Sequence, residues 1–161
     1  MDTYALHHHY PDTRPELFGW LAAGFVFGAI AVLIFHQGAL GLLNAFGVTS
    51  VTPHSVQRTE PFGIPQLWSQ AFWGGVWGVV LAFVIQRLEG VRLVVAAAIF
   101  GMIVPTLVAW FVVAAIKGQP LAAGFAPKAM ATGLAVNFAW GLGTGWGLAA
   151  ISGRRRYYEG G

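Results

Sequence analysis

The chain has 161 residues, of which 57% are hydrophobic and only 9% charged, where soluble domains carry about 25% charged residues. A soluble core of this length does not hide so much apolar side chain, so lipid is the expected solvent. The net charge of +3 gathers chiefly in Arg154, Arg155 and Arg156 rather than on a basic face, which excludes a nucleic-acid surface, and the lack of cysteine excludes disulfides and thiolate metal sites.

Residues 1–12 read as a flexible cytoplasmic tail that carries His7, His8 and His9. The first sixteen residues are too polar, and the next apolar run too long, for a cleaved signal peptide. A capping box then opens the first span, with Thr13 as N-cap, Glu16 three residues on and Pro15 in the first turn. About 20 apolar residues cross a hydrocarbon core, which sets this span at 17–37. The helical pattern continues beyond it, so the helix either protrudes or bends at Gly38 and lays residues 39–46 along the membrane surface.

The external loop, 47–65, holds Pro53, Pro61 and Pro65 and is expected to be irregular, ordered by contacts rather than by secondary structure. A second span follows at 66–86. The turn around Leu88–Gly90 is too short for anything but a hairpin into the third span, 91–116, where Pro105 predicts a kink. The fourth span, 127–151, leads into a basic cytoplasmic tail, 154–161. Arg14, Arg87, Arg92, Arg154, Arg155 and Arg156 fall on one side of these spans, against Arg58, Lys117 and Lys128 on the other. By the positive-inside rule both termini are cytoplasmic. The expected fold class is all-α, an integral membrane four-helix bundle over residues 13–153, N-in/C-in, with glycine-rich helix interfaces.

Small residues recur four apart: Gly24 and Gly28, Gly74 and Gly78, Ala97 and Gly101, and Gly141 with Gly143, Gly145 and Gly147. Such stripes let backbones approach closely in lipid, where hydrophobic gain between helices is small. They predict a compact bundle and further contacts with other integral membrane subunits. Trp20, Trp68 and Trp110 fall near the expected interfaces as anchors. Trp73 and Trp77 continue the stripe of Gln66 and Gln70, as an aromatic face toward another span, a lipid or a pigment. An internal repeat relates Phe62–Trp77 to Phe125–Trp146, each a proline-started helix that reaches a Trp-Gly pair, and suggests a parallel two-plus-two duplication.

The candidate polar cluster comprises His36, Gln37, Gln66, Gln70 and Lys128, supported by Ser69 and Thr132, all in the outer leaflet. It suits either a substrate or quinone-head pocket or a hydrogen-bonded seat for the external loop. His36 is the candidate ligand for haem iron, pigment or quinone, although a bis-histidine haem needs a second ligand at matching depth. Asn137 is the deepest strongly polar side chain, on one stripe with Gly141 and Thr144, and reads as a helix–helix clamp. No Asp, Glu, Lys or Arg falls in a span core, which counts against an ion-coupled pump. The six acidic residues are scattered and no catalytic or phosphate motif occurs, so no enzyme and no metal site are expected.

The segments "LIFHQGALGLLNAFGVT" and "PFGIPQLWSQAFWGGVWG", within Leu33–Val80, resemble a group of small four-helix bacterial inner-membrane proteins without assigned function. The resemblance implies a multi-pass protein of the bacterial cytoplasmic membrane and brings no ligand residues with it. The functional expectation is a non-enzymatic accessory subunit of a larger membrane complex, energy-converting in the respiratory or photosynthetic sense. Its grooves would take bound lipid, quinone, haem or pigment, with no cofactor assigned. One rival is a small homo-oligomeric transporter or channel that uses the outer polar cluster as its mouth. The other is a haem- or quinone-binding electron carrier that uses His36.

Overall fold

A computed structural model describes residues 13–60 and 62–159, the side chains of 13–16 and 153–159 excepted. The tail 1–12 with its histidines, the capping side chains of Thr13 and Glu16, Pro61 and the arginine side chains of the basic tail lie outside the described residues. Helix α1 covers residues 13–45, α2 Gln66–Ile85, α3 Gly90–Ile116 and α4 Pro127–Glu159. Each is long and apolar enough to cross a membrane.

Two helices run past the expected span ends, and two carry an irregular turn. Of its two expected courses helix α1 takes the first: it does not bend at Gly38 but continues past residue 37 to Ala45, through a π-turn at Val32–His36. The π-turn absorbs one extra residue without breaking the rod. Helix α3 likewise carries a π-turn, Ala109–Val113, just beyond Pro105. Helix α4 runs through the basic segment as far as Glu159.

Both α1 and α3 stop at a glycine in the left-handed conformation, Gly47 at φ +68° and Gly118 at φ +61°. The Gly47 and Val48 N–H groups return to Asn44 and Leu43 oxygens, each at 2.9 Å, and Gly118 and Gln119 repeat the pattern on Ala115 and Ala114. These 5→2 and 6→1 bonds satisfy carbonyls that a helix end otherwise leaves open. The loop 47–65 is also more regular than expected. Strand β1 (Arg58–Thr59) pairs antiparallel with β2 (Ile64–Pro65), in register Arg58 to Pro65 and Thr59 to Ile64.

Helix α1 lies along α2, α3 lies along α4, and α1 packs on α4 between the two pairs, while α2 and α3 touch little. Glycines determine how close each pair comes. A Cβ at Gly24 would stand 2.5 Å from the Gly78 oxygen, and one at Gly28 would collide with the Gly74 oxygen. In the other pair a Cβ at Gly101 would meet the Asn137 oxygen at 2.5 Å, and one at Gly145 the Ala97 Cβ at 2.5 Å. Gly141 is pressed on the Ala97 carbonyl. Between the pairs, the Phe27 and Phe35 rings of α1 lie over Gly147 and Gly143 of α4. The striped glycines named here therefore serve crossings inside the chain.

The two helix pairs also share local features. Gly74 and Gly78 correspond to Gly141 and Gly145, and the amide side chains of Gln70 and Asn137 each sit one turn before the crossing. Each amide bonds the partner helix of its own pair, and each partner ends at a C-terminal glycine after a π-turn. The two halves differ at the Trp-Gly pair itself. Trp140 is buried, whereas Trp73 is 57% exposed.

Candidate functional site

The polar end of the bundle is organised by Gln37, which is 2% exposed. Its Nε2 donates to Gln70 Oε1 at 2.8 Å, and its Oε1 accepts the backbone N–H of His54 at 2.8 Å. One amide thus joins α1, α2 and the loop. The π-turn explains the burial. Gln37 lies nine residues beyond Gly28, which in an unbroken α-helix is roughly 180° from the stripe facing α2. One absorbed residue brings it to within about 80° of that stripe.

The loop closes over this end through several further bonds. His54, at φ +54°, places its ring Nε2 3.3 Å from the Leu33 carbonyl, inside the same π-turn. The first N–H groups of α2, on Gln66 and Leu67, donate to Gln57 and Ser55 oxygens at 2.8 and 3.0 Å. Loop carbonyls therefore cap the N-terminus of α2, where no side chain does so. Asn44 Nδ2 reaches the Thr49 and Val51 oxygens at 3.2 Å each. The sequence offers His54 only as the other histidine outside the tail that could pair with His36 on a haem; its part in closing the loop depends on a backbone conformation rare outside glycine, which nothing in a proline-rich loop signals.

Not every expected member joins the cluster. Gln66 takes part through its backbone. Lys128 is exposed on the first turn of α4, and among the described residues no hydrogen bond or ion pair ties its ammonium to the glutamines. Thr132 donates to the Lys128 carbonyl within its own helix at 2.8 Å. His36 is half-buried, and its Nδ1 is the buried side-chain polar atom left without a partner among the described residues.

The deeper polar groups join helices. Asn137 Nδ2 donates to Thr106 Oγ1 at 2.8 Å, clamping α4 to α3. Trp140 Nε1 donates to the Gly28 carbonyl of α1 at 2.9 Å, close to Gly74 of α2, so three helices meet at this indole. Trp20 is no surface anchor. It is buried, and its Nε1 donates to the Ala82 carbonyl at 2.8 Å. Thr144 is fully buried and bonds back to the Trp140 oxygen at 2.9 Å. Trp68, at 58% exposure, does stand outward as an anchor would.

The expected Trp73–Trp77 face divides. Trp73 points outward and meets Phe72 edge-on at 5.7 Å, while Trp77 turns to Phe100 of α3 at 6.3 Å. No group of three His, Cys, Asp or Glu residues able to hold a metal occurs among the described residues. No family model, curated protein or solved structure matches this chain.

Proposed function

We propose that this chain is a non-enzymatic accessory subunit of a larger energy-converting membrane complex, seated in a bacterial inner membrane with both termini in the cytoplasm. The observation that carries this reading is how the embedded polar side chains are used. Gln37, Gln70, Thr106, Asn137, Trp20 and Trp140 all bond another helix or the loop. They hold the bundle together and leave little that could bind or turn over a substrate. Exposed aromatic side chains such as Trp73, at 57%, and Trp146, at 65%, are open to a neighbouring subunit. This orientation is supported by Arg87 and Arg92, which lie at the same end of the bundle as the start of α1 and the end of α4.

The transporter reading loses support because the loop closes over Gln37 and Gln70 and Lys128 stands apart. The orphan Nδ1 of His36 favours one second reading, in which a quinone or pigment in the membrane supplies its missing partner. Native purification from the source membrane in mild detergent tests both. A large particle that holds this chain at fixed stoichiometry with other membrane subunits is the expected result. A small colourless particle of this chain alone, without extractable quinone, contradicts both readings.

A further inference from the structure

The turn between α2 and α3 opens a cleft of about 610 Å³ lined by Arg87, Leu88, Glu89, Val91 and Arg92. Arg87 lies two residues past the last turn of α2, and Arg92 lies in the first turn of α3. Both arginines are exposed, and among the described residues neither guanidinium has a hydrogen bond or ion pair. Glu89 lines the same cleft and is engaged in an interaction of its own. On the lipid side the wall is apolar. Val91 is 79% exposed, while Leu88 packs back against the core.

Two features of this arrangement select a ligand. A guanidinium is a planar fork of donors that matches phosphate oxygens in pairs, and it stays charged at any physiological pH. With the chain seated in the membrane as proposed above, on which this inference rests, the cleft also lies where hydrocarbon gives way to headgroups, since the membrane-length helices α2 and α3 end and begin there. A soluble anion would gain nothing from the Val91 and Leu88 shoulder, whereas the first methylenes of an acyl chain would rest on it. We infer that this cleft is a binding site for the phosphate headgroup of an anionic phospholipid, held between Arg87 and Arg92. Arginines near a membrane surface favour anionic lipid by about fivefold each, and Glu89 offsets part of that gain.

The test uses the full-length chain in mild detergent with equal amounts of phosphatidylglycerol and phosphatidylcholine, the retained lipids being counted by native mass spectrometry. The wild type is expected to retain phosphatidylglycerol roughly fivefold over phosphatidylcholine. Arg87→Gln with Arg92→Gln brings the ratio close to one, while Arg58→Gln, at the opposite end, leaves it unchanged. Should the double variant not fold, the wild type still decides the matter. A lipid site keeps its phosphatidylglycerol in millimolar inorganic phosphate. Displacement by free phosphate would identify a soluble-anion site and overturn the inference, as would equal retention of the two lipids.

Discussion

A Gly78→Ala chain is expected to lose the α1–α2 crossing, at a cost of about 3 kcal/mol, the upper end of what overpacking commonly costs. A Cβ at this position collides with the Gly24 carbonyl oxygen and stands 2.9 Å from the Gly24 carbonyl carbon and 3.1 Å from Gly28 Cα. All three are backbone atoms, so no rotamer change relieves the clash. The helices must separate, and with them goes the contact that replaces hydrophobic gain in lipid. Gly38→Ala is the control, because a Cβ there has no atom within 4 Å. Alanine at a helical glycine removes chain entropy from the unfolded state, so stability should hold or rise by up to about 1 kcal/mol. Midpoints of unfolding in mixed detergent micelles measure both. Equal midpoints for Gly78→Ala and the wild type would mean that the helices do not cross here.

The second large effect is expected from Gln37→Leu, which keeps most of the side-chain volume but none of its hydrogen bonds. The His54 N–H and the Gln70 amide then lose their partner together. A buried group left unsatisfied costs about 1–3 kcal/mol. That cost falls on the loop, whose closure Gln37 holds, rather than on the helices, whose glycine crossings are untouched. Hydrogen exchange at the His54 amide should accelerate by about tenfold or more, since ~1.4 kcal/mol corresponds to one decade. Gln70→Leu should do less, because Gln37 keeps its bond to His54 in that variant. If the two variants accelerate His54 exchange equally, the latch does not run through Gln37.

The four membrane-length helices could be read from composition because a run of some 20 apolar residues is a strong signal when charge is this scarce. The crossing glycines were legible for a similar reason. Gly24, Gly28, Gly74 and Gly78 repeat at the helical period, and in lipid small residues have few other uses. What periodicity does not carry is their partner. The same stripe serves an intramolecular crossing or a second subunit, and only the packing of Gly28 on Gly74 decides between them. The polar end was harder to read. A π-turn has no composition of its own, yet the one at Val32–His36 rotates Gln37 from the outer side of α1 into the interior. Trp20 was misread because tryptophan near a helix start is usually an anchor, and nothing local marks Ala82, sixty-two residues on, as its hydrogen-bond partner. The α3–α4 connection hides a similar feature. Ala122, Ala123 and Phe125 take positive φ values, a conformation that L-residues seldom adopt and that no residue there signals.

The topology proposed is a four-span bundle with the Gln37-latched loop outside and both termini inside. The absence of cysteine permits a direct test, because one introduced thiol is then the sole target. Two chains suffice, Ser50→Cys in the exposed loop and Gly161→Cys at the C-terminus, each treated in intact cells with a membrane-impermeant maleimide. Ser50→Cys should react from outside, and Gly161→Cys only after the membrane is permeabilised. Labelling of Gly161→Cys in sealed cells, with Ser50→Cys protected, would contradict the proposed orientation.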